Sequence, residues 1–273
     1  MKTWFITGVS RGLGLALAKA ATAQGDRVIG TVRQDTRSWP ADDGQVRLLR
    51  GDLSDPDRIA SMAREAFDLA GKIDVVVNNA GYGLLGAVED STDEELVSLF
   101  AVNVFAPVRI VRAALPYLRA QGSGHIVNIT SVAGRAPSIG AALYSATKHA
   151  MEGFSASLAE EVAPLGIKVT AVAPGQLRTD FLADGSIRRS RTADPSYKAS
   201  VGRVTSTLDR VNHNQLGDPD RAARAILAAV QTDKPPRHLL LGSDALRRAC
   251  DKTEDLTREI ELWKSWTLST DNE

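Results

Sequence analysis

In the segment YSATK, residues 144–148, a phenol stands one helical turn before an ammonium, with only small residues between them. Residues four apart share one face of a helix, so Tyr144 and Lys148 can reach toward the same point. The chemistry such a pair serves is proton exchange with an oxygen on which negative charge builds, as when hydride adds to a carbonyl. A free phenol titrates near pH 10, so working near neutrality asks for a shift of about three units, or roughly 4 kcal/mol. A cation about 4 Å away supplies an interaction of that size at an effective dielectric near 20, which makes Lys148 the expected source of the shift. Taken alone, the same pair also reads as a packed tyrosine beside a solvated lysine.

A second group of residues is suited to holding phosphate. The first apolar run leads straight into TGVSRGLG, Thr7 to Gly14, and then into an amphipathic helix. A turn without side chains lets the backbone and a helix N-terminus approach a pyrophosphate, whose charge suits the free N–H groups and the helix dipole. The second strand ends RVIGTVRQ, and where an acidic residue would accept hydrogen bonds from an adenosine ribose this chain has Thr31, Val32 and Arg33. Arg33 and Arg11 of the glycine-rich turn can converge on a 2′-phosphate, a contact that suits guanidinium. The expectation is NADP(H) in preference to NAD(H), with Asp35 weakening the local positive field. Arg188, Arg189 and Arg191 read first as a solvated loop face, with contact to an acidic substrate or the cofactor phosphate as the alternative, and His125, His149, His213 and His238 lack the spacing of a metal site.

These groups need elements to position them. Short β-branched runs alternate with helical patterns along the chain. TWFIT is followed by a helix, then RVIGTV, QVRLLRGD, a helix, and KIDVVVNNAG. A long helix from about Asp93 to Arg119, GHIVNIT, a helix from about Ala141 to Ala163, and IKVTAVAPG complete the alternation. Such alternation implies right-handed crossovers and a doubly wound α/β fold, a parallel sheet with helices on both faces. The expected organisation is one domain over residues 1–273. An excursion without clear periodicity, about 176–217, follows the last of these runs; a helix near Asp218–Gln231 and the strand RHLLLG come next, then a helical extension over about 243–273. Long excursions of this kind serve as lids or binding loops.

Composition narrows the partners. Lys+Arg and Asp+Glu are 33 each, a balance that gives no electrostatic support for nucleic acid or an anionic membrane. Cys250 is the single cysteine, so no disulfide can form within the chain. The N-terminus lacks an apolar core of signal-peptide length and no later run approaches a membrane span, so a cytoplasmic protein is expected. Trp263 and Trp266 are expected to pack against the sheet layer or across a subunit contact.

Taken together, TGVSRGLG, NNAG at 78–81, YSATK and PGQLRT, in this order and at these separations, resemble the short-chain dehydrogenase/reductase family over nearly the whole chain. The resemblance implies a Rossmann fold and a homodimer or homotetramer acting on a small carbonyl or alcohol substrate. It implies that Thr7, Gly8, Ser10, Arg11, Gly12, Leu13 and Gly14 form the cofactor turn, with Thr7 tied to NNAG. Asp52 and Leu53 then lie at the adenine, and Asn79, Ala80 and Gly81 line the cofactor. Pro174, Gly175 and Thr179 form the nicotinamide side. The implied catalytic set is Asn103, Ser131, Tyr144 and Lys148. In it Ser131 orients the carbonyl, Lys148 also binds the nicotinamide ribose, and Asn103 holds a water that relays protons. The substrate pocket is expected from Tyr82, Gly83, Leu84, Ala133, Ser138, Phe181, Leu182 and Tyr197, mostly apolar. RHLLLGSDA and the C-terminal extension are similar to the hydroxysteroid-dehydrogenase-like branch. A cofactor-sensing protein that does not turn the cofactor over, and an epimerase or dehydratase of related fold, are the alternatives from other classes.

Overall fold

Alternating apolar residues of the strands fill the two faces of one sheet. In a computed structural model, residues 1–34, 44–182, 186–190, 194–211 and 214–272 are described; Asp35, Arg191 and His213, named above, lie outside them. The strands are β1 (Thr3–Ile6), β2 (Arg27–Val32), β3 (Val46–Arg50), β4 (Val75–Asn78), β5 (Gly83–Leu85), β6 (Gly124–Ile129), β7 (Ile167–Pro174), β8 (Ile187–Arg189) and β9 (His238–Leu241). Seven of them form a parallel sheet in the order β3-β2-β1-β4-β6-β7-β9. The helices include α1 (Gly12–Ala23), α2 (Pro56–Ala70), α3 (Asp93–Phe100), α4 (Ala106–Gln121), α5 (Ala142–Val162), α6 (Arg203–Val211), α7 (Pro219–Gln231), α8 (Ser243–Leu262) and α9 (Lys264–Leu268).

The period of two along each strand divides the core. Trp4 and Ile6 of β1 point toward α1 and α7, packing with Leu17 and Ile226, whereas Phe5 points the other way among Ile59, Met62 and Ile110 of α2 and α4. Helices therefore cover both faces, and the fold is the doubly wound Rossmann arrangement. Each of these faces buries its large side chains fully, at roughly 1.5–3 kcal/mol per side chain. The chain leaves β1 for β2 and β3 on one side and crosses back to β4 on the other, so the switch in direction lies between β1 and β4. Ligands of open α/β sheets bind beyond the carboxyl ends of the strands at such a point.

Three expectations need correction. The helix read over 93–119 is two helices joined by a π-helical segment, Ala101–Phe105, which brings Asn103 inward; side-chain periodicity does not reveal one extra residue in a turn. The combined run Asp93–Gln121 is also long and apolar enough, by length and composition, to cross a membrane, contrary to the absence expected above. Its inward side chains, Leu99, Ile110, Val111 and Leu118, lie in the protein core. Finally, the excursion after β7 is not without structure: β8 pairs in parallel with β5, and α6 follows.

Candidate active site

The glycine-rich turn is built by close approach. Gly8 and Gly12 have φ of 74° and 58°, values that glycine adopts without the cost a side chain brings. A Cβ on Gly14 would lie 2.2 Å from the Gly8 carbonyl oxygen and 2.4 Å from Asn79 Nδ2, so the first turn of α1 can sit against β1 only without one. Thr7 ties this turn to the next strand, its Oγ1 accepting from the backbone N–H of Asn79 at 3.0 Å and of Ala80 at 3.1 Å. Asn79 Nδ2 answers by donating to the carbonyls of Thr7 and Gly8. Asn78 is buried and donates to Asn128 across β4 and β6 at 2.8 Å.

The ends of these strands open on one cleft of about 870 Å³, within the range of cofactor and ligand sites. Gly8, Ser10, Arg11, Gly12, Leu13, Arg33, Asp52 and Leu53 line one part of it, and Asn79, Ala80, Gly81, Ser131, Tyr144, Lys148, Pro174, Gly175 and Thr179 the rest. Three expected residues stand behind its wall: Thr7 and Gly14, whose contacts shape the turn, and Asn103. The Asn103 amide is buried, accepting from Tyr82 N at 3.1 Å while donating to Tyr82 O at 2.9 Å and Thr147 Oγ1 at 3.2 Å. Its side chain fixes the loop after NNAG and is engaged with protein on both ends of the amide.

Burial governs the titrating pair. Tyr144 is pushed up to about 12 by loss of solvent, with the Ser131 hydroxyl pulling the other way. Lys148 is pushed down to about 8 by burial, partly opposed by Glu152 one turn on. Lys148 Nζ donates to the Ile129 carbonyl at 3.0 Å and lies 5.7 Å from the Tyr144 ring centre. The lowering of the phenol by Lys148 expected from spacing is therefore corrected within the protein itself: desolvation is the larger effect, the amine being buried and the phenol half-buried at the cleft wall. Glu152 is held by Thr130 Oγ1 and by Arg135 at 3.1 Å. Asp52, which caps the next turn by accepting from Ser54 N at 2.8 Å, is held below the usual carboxylate range by that contact, with Arg33 and Arg188 contributing.

The substrate side differs in detail from the sequence reading. Tyr82, Gly83, Ala133, Ser138, Phe181 and Leu182 line the cleft. Leu84 points away and packs with Leu99, while its neighbour Leu85 faces in, the alternation of β5 deciding between them. Tyr197 is not among the lining residues; its hydroxyl donates to Glu89 at 2.7 Å on the exposed surface. Arg188, read as a solvated face, instead lines the cleft with its guanidinium 4.3 Å from the centre of the Tyr82 ring. Arg248 of α8 also reaches the cleft and donates to Ser138 Oγ at 2.7 Å. The arginine cluster at 188–191 has substrate or cofactor contact as its second reading, which the position of Arg188 favours, whereas no local pattern announces Arg248, which arrives from a distant segment. Leu85, Ala141, Ile187, Phe181, Leu182 and Leu208 gather around Tyr144 as an apolar cluster.

The cleft fits a dinucleotide: a side-chain-free turn at a helix N-terminus, arginines at its outer rim, and a half-buried phenol beside a buried amine at its far end. A family model described as short chain dehydrogenase matches residues 2–189. The chain is 37% identical over 273 aligned residues to an oxidoreductase, BOA17, of Botryotinia fuckeliana, covering 98% of this chain and 99% of that one. Its fold superimposes on a short-chain dehydrogenase from Streptomyces avermitilis with a TM-score of 0.89 and 40% identity, covering 99% and 100% of the two chains. A metagenomic short-chain oxidoreductase solved in complex with NADP has a TM-score of 0.68 and 30% identity, covering 88% of this chain and 96% of that one.

Proposed function

This chain belongs to the short-chain dehydrogenase family and is an NAD(P)-dependent oxidoreductase, and from that premise we propose that it interconverts an apolar carbonyl and its alcohol, with NADP(H) preferred and Tyr144 as the acid/base. The observation that carries this reading is the meeting of Tyr144, Ser131 and Lys148 on one wall of the cleft, where apolar side chains gather around Tyr144. When bound, the nicotinamide supplies hydride to the carbonyl carbon or accepts it from the alcohol. Tyr144 keeps its proton at neutral pH, which suits it to donate to the oxygen as charge develops there. Ser131 is the second donor to that oxygen. Lys148, brought to about 8 by burial, can exchange a proton near neutrality and restore the phenol. Asn103 positions Tyr82 and the loop above it rather than touching the reacting atoms. Thr7 and Gly14 serve the cofactor by shaping its turn, and Gly8, Ser10, Arg11, Gly12 and Leu13 line the space it would occupy.

NADP(H) preference rests on Arg33 and Arg11 at the cleft rim and on the absence of an acidic residue at Thr31, Val32 or Arg33. The relative solved with NADP is consistent with it. The test is kcat/KM for NADPH and NADH against a panel of aldehydes, ketones and quinones, for wild type and Arg33→Ala. The wild type should favour NADPH, and the ratio should fall about tenfold or more in the variant, the size of one lost charge-assisted contact. A wild-type preference for NADH, or an unchanged ratio, defeats the assignment. Activity on small polar carbonyls alone would defeat the apolar pocket while leaving the hydride chemistry intact.

A further inference from the structure

Arg248 stands on α8, far from the catalytic motifs in sequence, yet its guanidinium lines the cleft beside Ser138. The base of that helix brings it there, where Ala245 packs with Val132 and Ala136 just beyond Ser131. Nη2 donates to the Ala136 carbonyl and to Ser138 Oγ. Among the described residues, Nε and Nη1 have no acceptor and no carboxylate pairs with the guanidinium within 4.0 Å. Asp244, one turn earlier on α8, accepts instead from the backbone N–H of Gln176 at 2.9 Å. Burial presses Arg248 below the usual guanidinium range, with Asp244 opposing. Arginine nonetheless keeps its charge in proteins, so a half-buried cation faces the cleft without a counter-ion. Such a charge is costly until an anion reaches it.

Gln215 shows the same incompleteness. It is 2% exposed and lines the cleft, and among the described residues neither Oε1 nor Nε2 has a hydrogen-bond partner. Buried amides are ordinarily bonded, so this donor and acceptor are available to a ligand. Gln176 joins the two neighbourhoods, its N–H donating to Asp244 of α8 and its carbonyl accepting from the N–H of Gly217.

We propose that this part of the cleft is a subsite for a carboxylate of the substrate, bound by Arg248 with Gln215 as a neutral partner. This subsite presupposes the carbonyl reading above and narrows the substrate to an oxo acid, or its hydroxy acid, with an apolar body. The carbonyl then lies at Ser131 and Tyr144, the apolar stretch among the side chains gathered around Tyr144, and the carboxylate at α8. The phosphates of the dinucleotide have the glycine-rich turn with Arg11 and Arg33, which leaves Arg248 for the substrate. One cation beside one neutral amide matches the single charge of a carboxylate better than the nearly double charge of a phosphate monoester.

Linear oxo acids of increasing chain length, each against its own methyl ester, test the subsite with NADPH as reductant. In wild type the best acid should exceed its ester in kcat/KM at least about tenfold, through a lower KM. In Arg248→Gln that ratio should fall toward unity, whereas Arg248→Lys keeps the cation and should retain part of it. An acid no better than its ester in wild type overturns the proposal. So does a ratio unchanged in Arg248→Gln, the result expected if Arg248 only fastens α8 to the loop after Ser131. Calorimetry separates failure here from failure of the carbonyl reading. Saturated fatty acids of the same lengths lack the oxo group, and with NADP⁺ present they should bind wild type at least about tenfold more tightly than Arg248→Gln. If no oxo acid or ester is reduced, the catalytic reading falls while that difference in binding still upholds the subsite. Equal binding by the two proteins overturns it.

Discussion

Tyr144 and Lys148 are displaced in opposite directions, the phenol to about 12 and the amine to about 8, and in both cases burial is the cause. The residue types and their spacing were legible because the chemistry demands them at one helical turn. The sign of the phenol's displacement was not, because spacing reports proximity and says nothing of enclosure. Arg188 illustrates the other limit: its stacking on Tyr82 joins residues 106 apart in sequence. A buried group with no part in the site gives a prediction at this scale. His125 lies in β6 with Nε2 2.9 Å from Thr170 Oγ1, and burial lowers it from 6.5 to about 4. Between those values the unfolded chain binds a proton that the folded chain does not. The stability is therefore fully present above pH 6.5 and is lost as pH falls toward 4, to the extent of about 3 kcal/mol. Denaturant titrations at several pH values should show this loss in wild type and a flatter acid limb in His125→Gln. Parallel acid limbs in the two proteins would remove His125 as the cause.

At the scale of elements, the strands and helices that build the sheet were legible because long runs of one period leave little choice. Asp55 and Asp218 each cap a helix that begins with proline, accepting from two backbone N–H groups, and such starts are written in sequence. The three-residue strands β5 and β8 were not legible, since so short a run carries no periodicity. They matter because their pairing lays residues 186–190 over the cleft, with Ile187 and Arg188 among its lining. We propose that the segment 176–217, carrying β8 and α6, acts as a lid. Limited proteolysis should cut within it in the free protein and more slowly once cofactor and substrate are bound. Equal rates of cleavage in both states would count against closure.

For the whole molecule, the α/β alternation and the ordered motifs specified the fold and assembled most of the proposed site at one edge of one sheet. The C-terminal arm was less determined: of the two places expected for its tryptophans, the sheet layer is ruled out, since they stack edge to face at 5.2 Å on the outside of their own chain. Composition identifies apolar side chains without saying whether their own domain or another molecule buries them. The central claim, proton donation by a half-buried phenol during hydride transfer, has a direct test in Tyr144→Phe. The substitution removes one oxygen from an otherwise retained ring, so melting temperature and NADPH affinity serve as controls for the body and the cofactor cleft. Single-turnover oxidation of NADPH, with the best carbonyl from the panel, should slow at least about 100-fold while NADPH binds as in wild type. A near-normal rate in that variant would contradict the account.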